Sequence, residues 1–153
     1  MPDNLIYFVE TQAEKQRVLL CRWIERFHER GRKVQVVVDS SQAAQYIDHL
    51  LWTFSEESFI PHRIAGAGGG EADSDPVVIT VGESRLEGFD VLVCDGSVQL
   101  EFMSRFPEVV HFVLTDDSEK KQESRLMWQS AREEGFHLRH VSKAEGLRGP
   151  PAQ

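Results

Sequence analysis

Two short apolar runs, LIYFVE at residues 5–10 and KVQVVVD at residues 33–39, flank a segment with helical periodicity. Neither run alternates apolar with polar residues, which is the pattern of strands buried on both faces. The segment between them fits a helix. Thr11 is placed to cap it and Glu14 stands at the reciprocal capping-box position. Leu20, Ile24 and Phe27, with Val18, Cys21 and His28, give it one apolar face before Gly31. A strand, a helix of this length and a second strand form a βαβ unit, so the two strands are expected to be parallel.

The pattern then repeats. Ser40 or Ser41 opens a helix through Ala43, Ala44, Tyr46, Ile47, Leu50 and Leu51. The stretch LWTFSEESFIPHRIAG (residues 51–66) ends it and reads as non-helical, with Trp52, Phe54, Phe59, Ile60 and Pro61 close together. A glycine-rich acidic linker, GAGGGEADSDP, covers residues 66–76, and strand-like runs follow at 77–81, 89–94 and 109–114, with a short helix over 98–106. Asp117 or Ser118 opens a last helix to Glu134, Gly135 closes it, and FHLRHV at 136–141 alternates as an edge strand does. Strands alternating with helices predict an open, mostly parallel α/β sheet covered by helices on both faces. At 153 residues the chain reads as a single domain over 1–142 with a flexible tail at 143–153.

A formal charge of −8 argues against a general binder of the phosphate backbone, so direct nucleic-acid binding is not expected. No apolar run approaches the roughly 20 residues of a spanning helix, and the N-terminus lacks the pattern of a secretory signal, so the expectation is a cytoplasmic protein without a membrane partner. The two cysteines, Cys21 and Cys94, sit singly within apolar runs, as buried reduced thiols do. The six histidines and two cysteines never take a metal-binding spacing.

Sheets of this kind often bind nucleotides at the carboxyl ends of their strands, which makes a small nucleotide-dependent enzyme one candidate. Asp39 and Asp95 each follow a strand, and His62 is a possible general base. Asp also commonly ends a strand, however, and no local motif gives His62 a nucleophile or an acid partner. The glycine cluster lacks the lysine and hydroxyl of a phosphate loop and is followed by Glu71, Asp73 and Asp75, which repel phosphate. Glu56/Glu57 and Asp116/Asp117 are sequence neighbours whose side chains diverge.

The last helix offers a different chemistry. Lys121, Arg125, Trp128 and Arg132 are spaced four, three and four apart and share one face, with Leu126, Ala131 and either Met127 or Ser130 on the side expected to be buried. Arg139, Lys143 and Arg148 add positive charge beyond it. A basic patch with an aromatic centre on an acidic protein suits an acidic peptide better than a nucleic acid. The alternative is a solvated helix whose cations pair with Glu123, Glu133 or Glu134.

These residues resemble a known family, the chi subunit of bacterial DNA polymerase III, an accessory protein of the clamp-loader complex. The likeness rests on LW at 51–52, ESFIPHRIAG at 57–66, PVVI at 76–79, EVVHFV at 108–113, and a last helix holding Arg125 and Trp128 before GF at 135–136. It implies a Rossmann-like fold, no catalytic activity, no cofactor and two partners. One is the small psi subunit. The other is the acidic C-terminal tail of single-stranded DNA-binding protein, which ends in Pro-Phe. By position, Arg125 would meet the terminal carboxylate, Lys121 the upstream acidic groups and Trp128 the phenyl ring. Trp128 and Gln129 depart from the Tyr-Lys that the family often carries there, and Arg132, one turn on, is placed to compensate. Trp52, Phe59 and Pro61 would present apolar area to psi, with His62 holding the loop; the other reading is that these aromatics cap the chain's own core.

Overall fold

The computed structural model describes residues 4–66 and 75–152. The first apolar run becomes strand β1 (Leu5–Thr11), and α1 (Gln16–Glu29) leads to β2 (Val34–Val38). Next come α2 (Ser41–Thr53), β3 (His62–Ile64), β4 (Val77–Val81), β5 (Val91–Cys94), α3 (Leu100–Met103), β6 (Glu108–Leu114), α4 (Ser118–Glu133), β7 (His137–Val141) and α5 (Lys143–Gly146). All seven strands join one sheet in the order β3-β4-β2-β5-β6-β1-β7, and every neighbouring pair is parallel. Parallel pairing with crossovers through helices demands cover on both faces, and the continuous apolar runs of β1, β2 and β4 to β6 answer that demand.

Side-chain alternation divides the core in two. Tyr7, Val9, Val36, Val38, Ile79, Val93 and Val110 point to the face covered by α1 and α2. Ile6, Phe8, Val37, Val78, Leu92 and Val109 point to the opposite face, where Phe102, Met103 and Ala131 of α3 and α4 meet them. Cys21 and Cys94 are buried free thiols, and burial pushes the Cys21 thiol up to about 12.

Several local expectations need correction. Thr11 does not cap α1: β1 runs through it, and a 3-10 turn (Ala13–Lys15) precedes the helix without a side-chain cap. The amide of Ala13 donates instead to Asp116 Oδ1, 3.0 Å away across the sheet. The buried face of α1 includes Leu19 and Trp23, whereas Val18 is exposed. The shift follows from α5, which covers that flank and accepts the Trp23 indole N–H at the Gly146 carbonyl, 2.9 Å away. Residues 143–152, expected as a flexible tail, hold α5 with its Ser142/Glu145 capping box, and Arg30 donates to the Pro150 and Pro151 carbonyls. On α4, Leu126 is 53% exposed and the buried positions are Ser124 and Ala131. Most of the glycine-rich stretch lies outside the described residues.

Candidate functional site

Helix α4 is started by Asp117, whose side chain accepts the Lys120 amide at 3.1 Å. It lies on the sheet through a stripe at 124, 127/128 and 131, three or four residues apart, which is why Leu126 faces out. Trp128 sets its ring edge-on against Phe8 at 4.9 Å, and Phe8 in turn meets His111 at 5.1 Å. His111 Nε2 lies 2.8 Å from the Ser124 hydroxyl, closing the connection back to α4. Burial pushes the His111 imidazole down to about 4, so it is neutral there at physiological pH.

The strand order brings the rest of the site together. β1 lies between β6 and β7, and Phe8 is opposite both His111 and His140, while Glu10 is opposite Val113. All of these project on the α4 face near the carboxyl ends of the strands. The result is a groove of about 330 Å³ with Phe8 and Val113 at its floor. Lys121, Ser124, Arg125 and Trp128 form the α4 wall, and Glu10 and His140 stand on the other side. Arg132 does not line this groove and lies exposed on the next turn. Among the described residues Lys121 and Arg125 form no ion pair, which leaves two cations available beside an aromatic and apolar floor. Such a lining can hold an anionic group next to an apolar ring.

Sequence spacing placed the α4 wall but not Phe8, Glu10, Val113 or His140. Their contribution depends on β6, β1 and β7 being neighbours, a long-range fact that no local pattern carries.

The second candidate surface lies at the β3 edge of the sheet. Trp52 is helical, on the last turn of α2, rather than in a loop. The stretch divides by direction: Leu51 and Ile60 are buried at 1%, whereas Trp52 is 50% and Phe59 69% exposed. The outward rings lie 5.7 Å apart and form one apolar patch. His62 is buried under Trp52 with ring centroids 4.6 Å apart. Its Nδ1 is 2.7 Å from the Ile60 carbonyl and its Nε2 is 3.1 Å from the Asp48 carbonyl, which ties the loop to α2. Pro61 lies between them, partly exposed.

The nucleotide-site candidates are engaged in internal bonds. Asp95 accepts from Gln16 Nε2 and from both Nε and Nη2 of Arg17, at 3.0 to 3.1 Å. Asp39 accepts the Ser97 amide at 3.1 Å and closes over Gly96, where a β-carbon would fall 2.2 Å from its Oδ1. Asp95 ties the end of β5 to the start of α1, and Asp39 ties the end of β2 to the turn after β5, both in the middle of the sheet, whereas His62 lies on the β3 edge.

Comparison with known proteins gives a consistent picture. A family model described as DNA polymerase III chi subunit, HolC, matches residues 1–139. The DNA polymerase III subunit chi of Escherichia coli (strain K12) is 32% identical over 123 residues, spanning 78% of this chain and 80% of that protein. Its counterpart in Haemophilus influenzae is 30% identical over 111 residues, spanning 71% and 74%. That of Pseudomonas aeruginosa is 30% identical over 123 residues, spanning 77% and 80%. Among solved structures, T4 UvsW superimposes with a TM-score of 0.58 at 10% identity, over 92% of this chain and 41% of that one. This last likeness concerns the fold alone.

Proposed function

The chain belongs to the DNA polymerase III chi subunit family, and from that premise we propose that it is a non-catalytic accessory subunit joining the clamp-loader complex to single-stranded DNA-binding protein. In this reading the α4 groove takes the acidic C-terminal tail of the latter, and the Trp52/Phe59 patch takes a psi-type subunit. The setting is the cytoplasm, no cofactor takes part, and DNA is reached through the coating protein rather than by direct contact.

The observation that carries the reading is the convergence of Lys121, Arg125 and Trp128 on one groove over Phe8 and Val113. A tail ending in Pro-Phe presents a terminal carboxylate, a phenyl ring and upstream acidic side chains. Arg125 offers a charge-assisted fork to the first, and Trp128 with the apolar floor covers the second. Lys121, one turn earlier, faces the third, and Arg132 extends the positive charge beyond the groove. On the other edge, Trp52 and Phe59 expose an aromatic pair whose Trp52 ring rests on His62, the kind of anchor from which interfaces draw most of their energy. Pro61 stiffens the same loop.

Fluorescence anisotropy with a labelled acidic peptide ending in Pro-Phe tests the tail site. Arg125→Ala is expected to weaken binding by about 1 to 3 kcal/mol, the range for a lost charged hydrogen bond. An unchanged titration would remove the assignment. Thermal stabilisation by ATP or a dinucleotide, with none by the peptide, would favour a nucleotide-dependent enzyme built on Asp39, Asp95 or His62 instead.

A further inference from the structure

The groove that faces an anionic peptide contains one carboxylate of its own. Among the described residues Glu10, near the end of β1, is the only acidic one in its lining. Glu10 Oε2 lies 3.1 Å from His140 Nε2, and the two side chains are 33% and 55% exposed. The pair is built into the sheet, since Phe8 of β1 is opposite His140 of β7 and Glu10 follows two residues later on the same face. A carboxylate aimed into a groove that receives carboxylates opposes its ligand unless its charge is cancelled.

The charges around the imidazole come from three other elements and its own. Glu10 faces it from β1, Lys121 and Arg125 stand across the groove on α4, and Arg139 adjoins it on β7. Glu145 of α5 also feels both Arg139 and His140, although its carboxyl is held below the usual range chiefly by its bonds to Ser142. Carboxylates, lysines and arginines keep their charge between about pH 5 and 8, whereas an imidazole changes its own within that window. The other histidine near the groove, His111, is kept neutral there by burial.

We propose that the Glu10–His140 pair is a charge gate on the tail groove: a protonated imidazole cancels Glu10 and admits the acidic peptide, and a neutral one leaves Glu10 to repel it. The gate rests on the tail-binding reading above. It makes His140 a determinant of specificity, because the same pair leaves a neutral peptide with the same terminal ring largely unaffected.

The test is anisotropy of the full chain with the acidic Pro-Phe peptide at about pH 6 and about pH 8, at one ionic strength. The expected result is binding about threefold to tenfold tighter at the lower pH, from one added charge at partly screened distance. His140→Gln should lose that difference and bind at both values as the native chain does at the higher pH. Glu10→Gln should bind more tightly than the native chain at the higher pH, where the uncancelled carboxylate is gone, and affinity there equal to the native chain's would overturn the gate. Equal affinity of the native chain at the two pH values would overturn the gate and leave the tail site standing, as would an undiminished pH difference in His140→Gln. No binding at either pH would overturn both.

Discussion

Burial of the His111 ring beneath α4 makes this one residue a reporter of how tightly the helix sits on the sheet. Its ionisation is pushed down to about 4 in the folded chain, against about 6.5 when unfolded. The unfolded state therefore holds more protons between those values, so stability is intact above about pH 6.5 and falls as pH drops toward about 4. Urea unfolding is expected to show a loss of about 2 kcal/mol between pH 7 and pH 5 from this group. The loss should be absent in His111→Gln, which keeps a partner for Ser124 and has no titrating ring. A second effect at this scale concerns Trp23, whose buried indole donates to Gly146. Trp23→Phe removes that bond and leaves the carbonyl without it, a cost of about 1 to 3 kcal/mol in thermal or urea unfolding. Spacing alone placed Lys121, Arg125 and Trp128 on one face, because a helical period is local. The phase of α1 is not legible, since the residue that decides it, Trp23, is buried against Gly146, 123 positions further along.

At the scale of elements, the helix that carries the cationic wall is only as well placed as its first turn. Asp117 accepts the Lys120 amide there, and Asp117→Ala should cost about 1 kcal/mol of stability by loss of the cap. Circular dichroism melts read this directly. Most strands declared themselves as apolar runs bounded by turn residues, because a strand covered on both faces has few polar positions. β3 did not: it has three residues, only His62 among them is buried, and its identity comes from pairing with β4 at the sheet edge. The aromatic cluster around Trp52 breaks the helical period and reads as a loop, yet α2 continues through Thr53 with the ring turned outward. The tail of the chain reads as polar and proline-rich, but its carbonyls find Arg30 and its helix finds the flank of α1.

Across the whole molecule, the two candidate surfaces lie at opposite ends of the strand order. β3 forms one edge of the sheet, and the groove's floor on β6 and β1 is four to five inter-strand spacings away, or about 19 to 24 Å at roughly 4.8 Å each. At that separation occupancy of one need not disturb the other, which is what an adaptor requires. Trp52→Ala should therefore abolish capture of a psi-type subunit while leaving affinity for the acidic peptide within about twofold, in paired titrations. The balance of charge acts at this scale too. With a net charge of −8, the chain repels an acidic ligand at long range, so the proposed tail recognition relies on short-range contacts with Lys121 and Arg125.

The molecule contains three tryptophans, one in each of three environments: Trp23 in the core, Trp52 on the β3 edge and Trp128 in the α4 groove. Their indole N–H resonances in a nitrogen-15 correlation spectrum therefore report separately on interior, patch and groove. Titration with the acidic Pro-Phe peptide should move the Trp128 signal, with the amides of α4 and the ends of β1 and β7, and leave Trp23 and Trp52 in place. Movement of Trp52 with Trp128 unmoved, or no movement at saturating peptide, would contradict the groove as the site of tail recognition.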